Sequence, residues 1–112
     1  MVMKKLVFLL CLLSGFWAST SSAQITAVGP ASVTFIENGW GGEGFAVHLS
    51  AGVSGCPAQP TEFGIPATHP AYKELVALLM SAYFTEKKVS VVVDTGVCTL
   101  GARTGIISIR LQ

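Results

Sequence analysis

His69-Pro70-Ala71-Tyr72-Lys73-Glu74-Leu75-Val76-Ala77-Leu78-Leu79-Met80-Ser81-Ala82-Tyr83 carries the clearest helical periodicity in this chain, and the elements on either side take their places from it. Tyr72, Leu75, Val76, Leu79 and Tyr83 recur at the i, i+3, i+4, i+7 and i+11 spacing that lines one face of an α-helix. Leu78 and Ala82 widen that face, so the helix is expected to be largely buried, with Lys73 and Glu74 on its wet side. Pro70 suits the first helical position, where its missing N–H leaves no bond unmade. Thr68 or His69 is the expected N-cap. Lys87 and Lys88 follow, where positive charge complements a helix C-terminus.

On both sides of the helix the pattern is strand and turn. Val89-Ser90-Val91-Val92-Val93 puts four valines in five residues, which predicts a strand buried on both faces or nearly so. Asp94-Thr95-Gly96 predicts a turn, and residues 101–105 a loop. Ile107, Ile109 and Leu111 alternate with Ser108 and Arg110 in a last strand. Before the helix, Val33 and Phe35 alternate with Ser32 and Thr34 in a half-buried strand that Gly29-Pro30 interrupts as a bulge or an edge. Asn38-Gly39 is a hairpin signal, which Gly41, Gly42 and Gly44 extend. Phe45, Val47 and Leu49 mark a second strand paired with the first. A loop with Gly52, Gly55 and Pro57 carries Cys56. Residues 62–65 form a short third strand that Pro66 ends. The resulting order, β-β-β-α-β-β, is that of a mostly β, OB-fold-like small barrel with one helix. An open α+β antiparallel sheet with one helix has the same order.

Residues 1–23 have the three-part layout of a signal peptide. Lys4 and Lys5 are basic, residues 6–18 are apolar, and Ser21-Ser22-Ala23 supplies small residues at a cleavage site. The apolar run is shorter than the roughly 20 residues a spanning helix needs, and nothing later is longer. Cys11 sits inside that run after Phe8-Leu9-Leu10, not after the small residue that lipidation requires. The expected product is a single OB-like domain of residues 24–112, secreted or periplasmic, with no membrane span after signal removal. It carries five basic and six acidic residues, a net charge of −1. That near-neutral balance leaves no electrostatic footprint for nucleic acid and only weak repulsion between copies. Cys56 and Cys98 admit one internal pairing, a disulfide closing a loop of 43 residues. Two free thiols or an intermolecular bond are the alternatives.

The candidate ligand-binding residues are Asn38, Trp40, Glu43 and Arg103. Trp40 lies among glycines that let a partner approach, and an aromatic face suits the C–H face of a sugar ring. Asn38 and Glu43 can bond hydroxyls, and Arg103 sits in a loop placed to touch a partner. The alternative is a hairpin loop whose Trp40 folds back on the barrel end. His48 alternates with Phe45, Val47 and Leu49, so it is expected to face solvent; His69 is expected to start or cap the helix. No metal is expected, because the two histidines lack zinc-ligand spacing, and no cofactor. Nor is catalysis expected. There is no Gly-x-Ser-x-Gly elbow, and the cysteines are not Cys-x-x-Cys. Residues 101–105 are not a phosphate loop. Asp94 in Asp-Thr-Gly stands alone where an aspartic protease needs two such triplets.

From the Cys56 loop onward, the chain resembles an uncharacterised group of small secreted bacterial proteins. The resemblance lies in His69-Pro70-Ala71-Tyr72-Lys73, Leu75-Val76-Ala77-Leu78-Leu79, the Val89–Val93 run and Cys98, about half of residues 24–112. The layout is also similar, at the level of fold, to the B subunits of subtilase-cytotoxin-like and pertussis-like toxins. That resemblance implies an OB-fold, assembly into rings and glycan binding. It carries over no sugar-binding residue, and the chain lacks the further cysteines that many such subunits have. The expected function is an exported, non-catalytic binding module for a glycan or protein partner, with self-assembly into a homo-oligomer. The alternative is a monomeric exported inhibitor or envelope-stress protein.

Overall fold

The computed structural model describes residues 24–39 and 41–112; the expected signal peptide and Trp40 lie outside the described residues. The elements are β1 (Ile25–Ala31), β2 (Val33–Asn38), β3 (Gly44–Leu49), β4 (Glu62–Pro66), α1 (Tyr72–Thr85), β5 (Val89–Thr99) and β6 (Arg103–Leu111). The six strands form one sheet in the order β1-β5-β6-β4-β3-β2. Neighbours are antiparallel except β4 and β6, which run parallel through Phe63↔Thr104 and Gly64↔Gly105. The ladder does not close into a barrel. Its two ends, β1 and β2, are nevertheless consecutive pieces of chain separated only by Ser32. Counted as one bent strand, they restore the expected β-β-β-α-β-β order.

The bend has a local cause. The β1–β5 register shifts between Val28 and Ala31. Gly29 has φ +122°, and a Cβ there would stand 2.6 Å from the Val89 carbonyl oxygen. Only glycine lets β1 lie that close to β5. The expected bulge at Gly29-Pro30 is present, and the chain beyond it turns into β2. A second register shift follows between Val33 and Phe35. It corrects the expectation that Val33 and Phe35 share an inward face: Ile36 packs on the core, while Phe35 is 45% exposed. Because strand side chains alternate, one extra residue moves the rest of a strand to the opposite face.

A single apolar core draws on every strand but β2, whose Val33 and Ile36 pack against it. Phe63, Ile65, Leu79, Val47, Val89, Val91 and Val93 are all inaccessible to solvent. The valine run is buried at alternate positions, Val92 being only half-buried. Asp94-Thr95-Gly96 is not the expected turn. β5 continues through it to Thr99, with a register shift between Asp94 and Cys98. Asp94 Oδ1 accepts hydrogen bonds from Gly96 N (2.9 Å) and Gln24 N (3.2 Å), holding the irregular stretch and the start of β1 together.

The helix begins at Tyr72, later than expected, and no side chain caps the Ala71 position. Pro70 and Ala71 form the turn ahead of it. There His69 Nδ1 accepts from Ala71 N (3.0 Å) and His69 O from Tyr72 N (3.1 Å). The expectation that Thr68 or His69 caps the helix, or that His69 starts it, is thereby corrected: the cap position is Ala71, and His69 only stabilises the turn ahead of it. Leu75, Leu79 and Ala82 are buried, while Tyr83, expected inward, is 38% exposed. The buried stripe is narrower than the apolar pattern implied: Tyr72 and Val76 pack against the core only partly buried. Cys56 and Cys98 are joined, with Cα atoms 5.7 Å apart, so the β3–β4 loop is tied to β5. Among the described residues no helix is long and apolar enough to cross a membrane.

Candidate functional site

Phe45, Val47, Phe63 and Ile65 point into the core. By alternation, Ala46, His48, Glu62 and Gly64 lie on the other face of β3 and β4. Two of these residues are small, and this admits the β5–β6 hairpin. A Cβ on Gly64 would stand 3.0 Å from Leu100 Cδ1 and 3.1 Å from Thr99 Cγ2, so the hairpin tip rests directly on the outer surface of β4. The tip itself is tight. Leu100, Gly101 and Ala102 all have positive φ, and Thr99 pairs with Arg103 across them. Two non-glycine residues in that region are strained, and the surroundings must hold them there. Ala102 O accepts from Ala58 N of the disulfide-bearing loop (3.0 Å), and Leu100 O accepts from Arg103 Nη1 (2.5 Å).

Held this way, Arg103 completes a cluster drawn from four strands. Its Nη2 donates to Glu37 Oε1 at 3.0 Å, and its Nε lies 3.9 Å from Glu62 Oε2. His48 Nε2 is 3.2 Å from Glu62 Oε1 and 3.9 Å from Glu37 Oε1. The His48 ring stacks on Phe35, with centroids 3.7 Å apart and planes inclined by 21°. The expectation that His48 faces solvent is thereby corrected. Its side chain is 12% exposed, because Phe35 lies on the ring and two carboxylates flank it. Arg103 is likewise engaged within the fold. Its side chain is 23% exposed, and Nε is buried without a hydrogen-bond partner among the described residues. Between fully exposed pairs, worth up to about 1 kcal/mol, and buried ones, whose breakage costs about 3–5 kcal/mol, this pair is intermediate. Arg103→Ala is expected to cost about 1–2 kcal/mol, since it leaves Glu37 and Glu62 facing each other with one cation fewer. Urea unfolding of Arg103→Ala, Glu37→Gln and the double variant measures this. Strict additivity of the two losses would show that the residues are not coupled.

Three of the four sequence-predicted ligand residues come together. Asn38, Glu43 and Arg103 line one depression with Glu37, Ala46 and Leu100. Trp40, in the same loop, lies outside the described residues. The depression is small, about 20 Å³, which is room for about one water molecule. Glu43 shapes the loop: its Oε2 accepts from Gly41 N at 2.6 Å, and its backbone oxygen accepts from Ala67 N at 2.8 Å. A Cβ at Gly39 would stand 2.8 Å from Glu43 Cδ, so the carboxylate folds closely over the loop backbone. Chemically, the arrangement offers hydrogen-bonding groups at a rim and no deep cleft. Among the described residues no group of three or more His, Cys, Asp or Glu is arranged to hold a metal ion.

Sequence reasoning passed over Phe35, Glu37 and Glu62. Their partners lie 11 to 66 residues away in sequence, beyond any local pattern. The available signal was the pair of small residues, Ala46 and Gly64, flanked by His48 and Glu62 at outward positions. That pattern marks an outer face something else must cover.

Fold and site together define a disulfide-linked, mostly β protein with one helix and a charged cluster pinned beneath a hairpin tip. Comparison with known proteins finds no matching family model, no matching curated sequence and no matching solved structure.

Proposed function

We propose that residues 24–112 form an exported binding module that holds a glycan at the β2–β3 loop and performs no chemistry on it. The observation that supports this is the convergence of Asn38, Glu43 and Arg103 on one depression beside the loop that carries Trp40. Asn38 and Glu43 flank the β2–β3 turn, and Arg103 comes from the start of β6, 60 positions beyond Glu43. A shallow site of this kind suits a sugar lying across the surface, with its ring on an aromatic face and its hydroxyls bonded to the Asn38 amide and the loop backbone. Export rests on the signal-peptide layout of residues 1–23. A disulfide is also at home in an oxidising compartment. The resemblance to secreted bacterial proteins and toxin B subunits points the same way.

Trp40 is the single tryptophan of residues 24–112, so its fluorescence reports on this loop alone. A glycan panel titrated against the purified protein is expected to yield a saturable shift or quench with one sugar class, weakened tenfold or more by Asn38→Ala, about the 1–1.5 kcal/mol of one lost hydrogen bond. A flat response across the panel would reject the glycan and leave a protein as the partner of this loop.

A further inference from the structure

A groove of about 560 Å³ lies where the C-terminal end of α1 meets the β1–β2 junction. Ser32 and Thr34 form one side; Tyr83, Phe84, Glu86 and Lys87 form the other. Phe84 is 72% exposed, with Met80 at 39% and Tyr83 at 38% on the same helix. The Tyr83 and Phe84 rings meet edge to face, with centroids 5.5 Å apart. Single exposed apolar residues are ordinary, but an aromatic pair beside a groove marks a contact surface.

The rim adds a second observation. Glu86 caps the helix in the left-handed conformation, with φ 58° and ψ 29°. Glycine is the unstrained residue at such a position. This chain instead places a glutamate there, followed in sequence by Lys87, and both line the groove. Neither side chain makes a hydrogen bond or an ion pair among the described residues. The rim therefore presents opposite charges side by side, without internal partners, around an exposed aromatic anchor.

We infer that this face is a two-fold contact with a second copy of the chain. Phe84 of each copy enters the groove of the other, and Glu86 of each pairs with Lys87 of the other. Two-fold symmetry brings a patch onto itself, so residue i meets j and j meets i. A neighbouring Glu86 and Lys87 are self-complementary under that operation and under no net charge constraint. The net charge of −1 on residues 24–112 gives copies little reason to repel. The contact is independent of the β2–β3 loop, which lies at the opposite end of β2, so either reading can fail alone.

Sedimentation equilibrium across a concentration series tests it on residues 24–112. The mass is expected to rise from one copy to two. Phe84→Ala should weaken dimerisation by about thirtyfold or more, the loss typical of truncating an aromatic anchor. Glu86→Lys and Lys87→Glu should each leave a monomer at concentrations where the parent is dimeric, and the double reversal should restore the dimer. Glu86→Gly is the sharpest variant. It relieves the left-handed strain, so its melting temperature should rise while its dimerisation is lost. A protein that stays monomeric to millimolar concentration overturns the inference, and the groove then belongs to another occupant. So does a mass beyond two copies, an association indifferent to Phe84→Ala, or a double reversal that fails to restore pairing.

Discussion

Alanine at both Cys56 and Cys98 is expected to lower the unfolding free energy by about 4 kcal/mol, close to the entropy of closing a loop of about 43 residues. For a domain of this size, that corresponds to a fall in melting temperature on the order of 20 °C. The native geometry is relaxed enough to deliver the effect, because the 5.7 Å Cα separation lies within the ordinary range for a disulfide. Around Cys56 itself, from Ser54 to Pro57, no backbone hydrogen bond ties the β3–β4 loop among the described residues. Val53 N donates to Pro60 O, and Ala58 N donates across to Ala102 O. Releasing the cross-link therefore frees the loop, and with it a contact holding the hairpin tip that aims Arg103 at Glu37. Urea unfolding of the double variant, and of the parent with reductant, checks the magnitude. A loss below about 1 kcal/mol would mean that the reduced, unfolded chain is already compact, contrary to the loop-entropy account.

Phe63→Ala is expected to cost about 3–5 kcal/mol, the range for emptying a buried aromatic site. Phe63 has no exposed surface and stands at the weakest seam of the sheet. On one side it opposes Val47 of β3. On the other it opposes Thr104 of β6, in a parallel ladder only two residue pairs long. Its ring thus supports the junction where hydrogen bonding is sparsest. Phe63→Leu keeps most of the volume and should cost less than about 2 kcal/mol. Equal losses for the two variants in urea unfolding would place the effect elsewhere than in the cavity.

Much of the fold is legible without coordinates, and the reason differs by element. Three of the helix's apolar positions, Leu75, Leu79 and Ala82, are buried because a 3.6-residue period leaves one face for the core. Gly29-Pro30 marks its bulge because neither residue fits a regular ladder there. Two failures are equally specific. Phe35 carries the alternation of an inward residue yet faces out, since the register slips by one between it and Val33. Asp94-Thr95-Gly96 has turn composition yet continues β5, since Asp94 supplies the hydrogen bonds that a turn would otherwise have supplied. In both places the β-bulge outweighs the local pattern.

The candidate site divides the same way. Asn38, Glu43 and Arg103 were legible as residues, because glycine-rich loops expose polar groups. Their meeting was not, because it depends on the hairpin tip crossing Ala46 and Gly64. The cluster of Glu37, His48, Glu62 and Arg103 was invisible, because no member is within ten residues of another.

Chain order, the helix, the Cys56–Cys98 pairing and the export reading all come from the residues alone. Each rests on a local period, a local composition or a choice of one. Which way Phe35 points, what covers His48 and whose carboxylate Arg103 meets belong to the folded molecule. They are set by strand register and by a hairpin packing on a distant strand, and a one-residue slip in either would change every neighbour without altering any local pattern.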